Sequence, residues 1–353
     1  MSQLIKNNSD YIFIFDAKNS NPNGSPDNEN KPRMDYETMT LLVNDARRKR
    51  DIRDFLSING YSIFVNMLDE NKVSMENMFN NIYNKYVENN ENHKMFLEKY
   101  EKLMKLKEDY EKIAKDKKAK KGDIEKAEST FKSEFIHQLV IDELIDIRLF
   151  GSAMAIGKVD KQFTGPIQMS WGYSLHPVEL VKDNAIVTIM NDDNSTFGKK
   201  EMLYYALVAH CGTINKLAGK KVSLKEDDLD IFRKALVQGL LANQTNSKQG
   251  QRPLLYLEIV YKEEFSGYLG DLRRYIKYNY DENPIRDFDQ TKLDFTDLIE
   301  ILNKDSVNKY IKEIKLWCNP LEDIDLKAKF KMLDKKLTMN NIDLYESINL
   351  KED

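Results

Sequence analysis

The residues of this chain best suited to chemistry are amides and cations, gathered in a few short stretches. Asn21, Asn23 and Gly24 stand in an Asn-Pro-Asn-Gly run, and Lys31 and Arg33 follow within the same polar segment, Asp16 to Asp35. Amide side chains and main-chain N–H groups donate to sugar and phosphate oxygens, and Lys and Arg neutralise phosphate charge. Arg47, Arg50 and Arg53 recur at three-residue steps. On a helix that spacing lets at least two of them converge on one run of phosphates. The same stretch also fits the commonplace basic half of an amphipathic helix. Ser152, Gln162, Gln168 and Ser170 offer neutral donors, and Lys199 and Lys200 add charge beyond a turn.

The residue types that carry catalysis are placed less tellingly. Asp16, Asp27 and Asp35 lie in the first long loop without the paired-carboxylate spacing a metal needs. His93, His137, His176 and His210 form no local pair. His210 and Cys211 are neighbours in a strand and so point to opposite faces. Cys211 and Cys318 stand apart, with neither metal spacing nor a disulfide framework, as in a reducing cytoplasm. No metal and no other cofactor is expected. The net charge of −4 does not announce a nucleic-acid binder, but a local basic stripe is enough to grip phosphates. No apolar run approaches the roughly 18 residues of a membrane helix, and the N-terminus lacks a signal pattern. The expectation is a soluble, cytoplasmic protein without a membrane partner.

These residues must be positioned by a core. Tyr11–Phe15 is apolar on both faces, as in a central buried strand. A helix is expected from about Glu37 to Leu56, with Met39, Leu42, Val43 and Ala46 as its apolar stripe, then a strand from Tyr61 to Met67 after the Asn59-Gly60 turn. Met75 to about Leu144 is densely charged. There Phe96, Tyr100, Leu103, Phe131, Phe135 and Leu139 fall at helical steps, which reads as an inserted helical hairpin. The lysine run from Lys115 to Lys121 reads as its solvated tip. Ile145–Ile156 reads as a strand in which Arg148 is either a contact or a buried ion pair. Ile167, Met169, Trp171 and Tyr173 alternate with Gln168, Ser170, Gly172 and Ser174, predicting a half-buried strand with Trp171 in the core.

Further on, Ala185–Met190 and Met202–Cys211 read as strands, with Tyr204 and Tyr205 packing within the second. Ser223–Glu226 reads as a capping box opening a helix through Leu229, Phe232, Leu236 and Leu240, and Leu254–Tyr261 as the next strand. Without insertions the order is β-α-β-β-α-β, the α+β, ferredoxin-like arrangement shared by RNA-recognition (RRM) domains. Residues 1–74 and 145–262 are then the two halves of the core, 75–144 an insertion, and 263–353 a C-terminal helical part packing back on it.

Five segments carry a resemblance to a known family. They are Asn21 to Arg33 after its strand, Asp146 to Ser152, Thr164 to Gln168, Ser174 to Pro177 and Thr196 to Lys200. In this order they resemble the backbone subunits of type I-B and I-C CRISPR Cascade, the seventh Cas family of the RAMP superfamily. The resemblance spans roughly Ser9 to Tyr261. It implies a modified RRM (RAMP) palm, a finger formed by the helical insertion, and a β-hairpin thumb around 178–202, with Phe197 as a wedge between groups of bases. It also implies a subunit, not an enzyme, that oligomerises head to tail along guide crRNA and presents it to target DNA. Subunits of the fifth, sixth and eighth Cas families would be its partners. The crRNA backbone would be held without sequence specificity through Asn21, Asn23, Gly24, Lys31, Arg33, Arg47, Arg50, Arg53, Ser152, Gln162, Gln168, Lys199 and Lys200. The alternative within the superfamily is a metal-dependent ribonuclease using a loop aspartate. The charged segment after Met75 is longer than the family pattern, and the C-terminal third matches none of its signatures.

Overall fold

The computed structural model describes residues 3–64, 83–84, 86–88, 90–156, 159–182, 185–188, 196–280, 284–321 and 326–348. They fall into two compact units, 1–60 with 166–220 and 224–353, and 61–165 with 221–223.

The first unit is built on one sheet. Its strands are β1 (Ser9–Ser20), β2 (Thr40–Val43), β3 (Ile167–Met169), β4 (Gly172–Ser174), β5 (Leu203–Ile214), β6 (Gln251–Tyr261), β7 (Ile311–Cys318) and β8 (Met339–Asn341). In the sheet they run β8-β7-β6-β1-β5-β4-β2, with β3 also paired to β5. Helices α1 (Asp45–Ile58) and α2 (Glu226–Ala242) complete it. The central path β6-β1-β5-β3/β4 is antiparallel throughout. With α1 after β1 and α2 after β5, it reproduces the ferredoxin-like order in which the fourth strand lies beside the first and the third beside the second.

The second strand of that fold is β3/β4, and not Tyr61–Met67 as the sequence suggested. Tyr61–Phe64 is irregular, and 65–67 lies outside the described residues. The expected helix from Glu37 is also shorter. Leu42 and Val43 pair with Tyr173 and Gly172 as a strand, and Asn44 caps α1 by accepting from the Arg47 N–H at 2.8 Å.

Alternate side chains of β1 serve two cores. Tyr11 and Phe15 face the helices: Tyr11 meets Phe232 of α2 edge-on at 5.7 Å, and the Arg48 guanidinium of α1 lies 5.0 Å over the Phe15 ring. The two helices approach closely at Gly239, where a Cβ would come within 2.8 Å of the Asp51 carbonyl. Ile12 and Ile14 face the other way, joining Leu207, Leu257, Leu272, Phe288, Leu298 and Phe330 in one buried cluster. The C-terminal third therefore covers the face of the sheet that the helices leave open.

That third is not simply helical. It adds β7 and β8 to the sheet and a hairpin of Lys277–Tyr280 with Thr291–Asp294, alongside the helix Thr296–Asn303. The helix α2 begins after Lys225, whose N–H donates to the Asp228 carboxylate at 3.0 Å; the predicted Ser223 box lies two residues early.

The expected alternation over 167–174 breaks in the middle. Between the pairs Met169↔Gly212 and Tyr173↔Ala209 this strand advances four residues and β5 only three. The extra residue reverses which side faces inward. Gly172 and Ser174 are buried, and Trp171, expected in the core, is 42% exposed.

The second unit holds helices Asn90–Lys99, Glu101–Lys115 and Lys121–Glu143, packed through Phe96, Leu97, Leu103, Phe131, Phe135 and Leu139. Phe96 and Phe135 meet at 4.9 Å. Ile145–Phe150 is a short helix, and only Gly151–Ile156 of that predicted strand is extended, paired to Val159–Thr164. Arg148 is buried there and donates to the carbonyls of Ile141 and Asp142, each at 2.8 Å, closing the end of the long helix. Asp146 accepts from the Phe64 N–H at 2.9 Å.

Candidate nucleic-acid interface

Where β1 ends, the long polar segment folds as a small hairpin. Gly24–Ser25 pairs with Lys31–Pro32 around a turn at Pro26–Asn28, and Glu29 and Asn30 take left-handed φ values of 49° and 57°. Gly24 sits in a tight space, since a Cβ would lie 2.9 Å from the Asn30 backbone carbonyl. Two amides lock the hairpin: Asn21 Nδ2 donates to the Asn30 carbonyl at 2.7 Å, and Asn23 Nδ2 to the Leu42 carbonyl at 3.4 Å. The Asn21 N–H donates to the Ser247 carbonyl at 2.7 Å, tying this hairpin to the loop before β6.

Between the hairpin, the first turns of α1 and the Ser247-Lys248 loop lies a cavity of about 380 Å³. Asn21, Asn23, Gly24, Arg33, Arg47 and Arg50, all singled out in the sequence, line it. So do Asn30, Asn44, Ser247 and Lys248, which were not. Among its described lining residues are four cations and no carboxylate.

The carboxylates nearby are shared out along α1. Arg47 pairs with Asp51, Arg48 reaches the same carboxylate at 2.7 Å, and Arg50 meets Asp54 at 2.7 Å. Asp51 thus serves two guanidinium groups. The surplus positive charge is felt by its neighbours: burial, and then Arg47 and Arg48, push the Lys248 ammonium down to about 8. Burial also lowers Arg47. The N-terminus of α1, opening beside the cavity at Asn44 and Ala46, adds the positive end of its dipole. Cations and amide side chains gathered in one recess without a carboxylate suit an anionic ligand.

Other expected contacts lie elsewhere. Lys31 pairs with Glu29 at 3.3 Å, and neither it nor Arg53 lines the cavity. Lys200 is closer, its Nζ donating to Asn246 at 2.9 Å on the loop that carries Lys248. Gln168 is exposed and lines a separate hollow of about 330 Å³ with Cys211 and Asp271. Phe197 and Lys199 belong to Thr196–Lys199, which pairs with Ala185–Thr188 as the expected hairpin. Ser152 and Gln162 stand on paired strands of the second unit. The side chains of these last four residues lie outside the described set.

Four of the residues considered for catalysis have structural occupations. Asp16, expected in the loop, is buried in β1, where it holds Arg252 at 2.6 Å and accepts from the Tyr205 hydroxyl at 3.2 Å. Asp35 accepts from the Thr38 hydroxyl at 2.8 Å and the Glu37 N–H at 3.0 Å. His176 accepts from the Leu207 N–H at Nε2 (3.1 Å), so Nδ1 faces the Pro177 carbonyl as a donor. His210 is fully buried, and burial and then Arg48 hold it down at about 3. Among the described residues no three or more His, Cys, Asp or Glu are grouped to hold a metal, and no helix is long and apolar enough to cross a membrane.

The chain thus combines a ferredoxin-like α+β fold, its helix-free sheet face closed, with a cationic recess beside its first helix. Residues 7–296 match the family described as CRISPR-associated protein Cas7, and the chain belongs to that family. A CRISPR-associated protein Cas7 of Haloferax volcanii is 24% identical over 323 residues, covering 84% of this chain and 83% of the relative. The fold is similar to a chain of a CRISPR RNA-guided surveillance complex, pre-nicking, with a TM-score of 0.50 and 11% identity. That likeness covers 96% of this chain and 97% of the other.

Proposed function

We propose that this protein binds guide crRNA as a backbone subunit of a Cascade-type surveillance complex. Copies of it line up head to tail along the RNA in the cytoplasm, beside subunits of the fifth, sixth and eighth Cas families. It holds the sugar–phosphate chain without reading sequence, leaves the bases to pair with target DNA, and performs no turnover. Family membership supports this reading. The observation that carries it is the recess of Arg33, Arg47, Arg50 and Lys248 with its amide-bearing hairpin, because such groups grip phosphates and ignore bases. The segment around 178–202 would be the thumb, the insertion at 75–144 the finger, and the complex one of type I-B or I-C.

The test is co-expression with a repeat–spacer transcript, followed by size-exclusion chromatography and RNA extraction. Transcript-sized RNA in a large multimer is the expected result. With Arg47→Ala and Arg50→Ala together, binding should weaken equally for unrelated spacers, and the slope of log affinity against log salt should shrink by about 1.4. RNA-free monomer, or a loss confined to some spacers, would defeat the reading.

A further inference from the structure

One end of the sheet is left open by the described residues. β8 is its terminal strand, joined to β7 in parallel without a bulge, and no described strand lies beyond it. The Thr338 carbonyl accepts from the Ile314 N–H at 2.8 Å, and the Ile342 N–H donates to the Leu316 carbonyl at 3.0 Å. Residues 338, 340 and 342 therefore face β7. The alternation of the ladder turns the N–H and C=O groups of Met339 and Asn341 the other way, where no described residue meets them. Edge strands are commonly blunted by a lysine, a proline or a bulge. Met339–Asn341 has none of these, and only its shortness restrains it.

The stretch that leads into this edge is basic and rigidly held. Leu326, Phe330 and Leu337 are buried, while Lys327, Lys331, Lys335 and Lys336 are exposed. Among the described residues none of these four lysines has an ion-pair partner. Lys335 and Lys336 are the central residues of a turn closed by the Leu337 N–H on the Asp334 carbonyl at 2.9 Å, just before β8. The Asn303 amide fixes that turn, donating to the Met332 carbonyl at 3.0 Å and accepting from the Asp334 N–H at 2.8 Å. The Asp334 carboxylate accepts from the Lys336 N–H at 2.9 Å. Positive charge is thus fixed beside unpaired strand groups.

We propose that β8 takes up an extended, acidic segment of a partner protein as one further strand. Met339 and Asn341 present donors and acceptors two residues apart, which is the repeat of a peptide strand. A phosphodiester chain has no N–H for their carbonyls, so the edge fits protein rather than nucleic acid. Main-chain hydrogen bonds supply the attachment. Lys335 and Lys336 select for Asp or Glu at the end of the added strand that meets the turn, and Lys327 and Lys331 add to the field.

The probe is a display library of short random peptides selected on the full chain. Acidic sequences without proline should be enriched. The strongest is then synthesised with a fluorophore and with single N-methyl groups along its backbone, and its affinity is read by anisotropy. Methylation at alternate residues should weaken binding about fivefold or more, and methylation between them little, because only every second N–H faces β8. That pattern is read on wild-type protein and needs no variant to fold. Asn341→Pro removes one outward N–H and leaves the bonds to β7 in place, so it should cost a similar factor. Lys335→Glu with Lys336→Glu should weaken the acidic peptide about threefold or more. A library that yields no acidic sequence overturns the proposal, as does a peptide whose binding shows no alternation or survives Asn341→Pro unchanged. If no peptide binds while poly-uridine RNA holds to the Arg47→Ala, Arg50→Ala protein through these lysines, the surface is one for phosphates and the proposal falls.

Discussion

Lys248 gives the recess a measurable dependence on pH. Its ammonium is pushed down to about 8, by burial first and then by Arg47 and Arg48. A phosphate seated among Arg33, Arg47 and Arg50 sets negative charge against the ammonium and raises its pKa again, so the lysine stays charged in the complex. Binding RNA therefore takes up a proton wherever free Lys248 has lost one, and affinity follows the protonated fraction of the free protein. That fraction is about 0.9 at pH 7 and about 0.09 at pH 9, so affinity should fall about tenfold across the interval. The charged groups facing Lys248 are Arg47 and Arg48, with Asp54 the carboxylate that acts on it. Arg48 is itself pushed down to about 9, by burial and then Arg47. Lys248→Arg separates the two, because whatever Arg48 contributes persists in the variant. The assay is anisotropy with a fluorescent RNA at constant ionic strength from pH 7 to 9. The profile of Lys248→Arg should be nearly flat, and the difference between the profiles belongs to Lys248. A flat wild-type profile, or an unchanged slope in the variant, refutes the argument that the lysine senses surplus positive charge in an anion site.

The other predictions concern the sheet and the loop that carry the recess. Glu258 and Arg233 form a buried bidentate pair between β6 and α2, at 2.7 and 3.0 Å, with Ser9 and Tyr256 donating to the same carboxylate. Glu258→Ala strands the guanidinium and should cost about 3–5 kcal/mol by urea denaturation. Burial would raise the Glu258 pKa, but Arg233 holds it down at about 2. Its stabilising contribution is therefore complete above the unfolded value of about 4.3 and is lost as pH falls through about 2. Glu258→Gln should flatten the stability profile in that acid window, and an unchanged acid slope would count against the pair. Gly250 has a φ of +88°, and a Cβ there would come within 2.2 Å of the Lys18 carbonyl. Gly250→Ala should cost about 1–3 kcal/mol and weaken RNA binding as the loop holding Ser247 and Lys248 shifts. A neutral result in both assays would show that the loop can move without consequence.

The hydrophobic pattern made the fold's order legible, and local spacing made half of the recess legible. Asn21 to Arg33 and Arg47 to Arg50 are close in sequence, so their convergence follows from one hairpin and one helix start. Lys248 and Ser247 are some 200 residues further on, and only the pairing of β1 with β6 brings them alongside: Lys18 N–H meets the Gly250 carbonyl at 2.9 Å. No spacing rule announces that contact. The misplaced helix start has a different cause. Met39, Leu42, Val43 and Ala46 satisfy a helical stripe, but the partner strand at Gly172–Tyr173 decides that Leu42 and Val43 are extended. Trp171 was assigned inward by strict alternation, which one inserted residue reverses. Arg148 shows the limit of residue type: an arginine in an apolar run can close a helix by meeting its carbonyls.

The covered sheet bears on how RNA would be held under the proposed reading. RNA-recognition domains with this ferredoxin-like arrangement read bases by stacking them on aromatic side chains of an open sheet face. Here Ile12, Ile14, Leu207 and Leu257 occupy that face, and Leu272, Phe288, Leu298 and Phe330 bury it from within the same chain. Bases cannot reach it without removing a core, each of whose large apolar side chains contributes about 1.5–3 kcal/mol by burial. The polar resources of the first unit are displaced instead to the loops at the end of β1 and the start of β6, where amides, guanidinium groups and an ammonium face one recess. Under the proposed reading, a closed sheet face and a charged loop margin are what a site that must accept every guide would need, and the closure comes from how the C-terminal third packs.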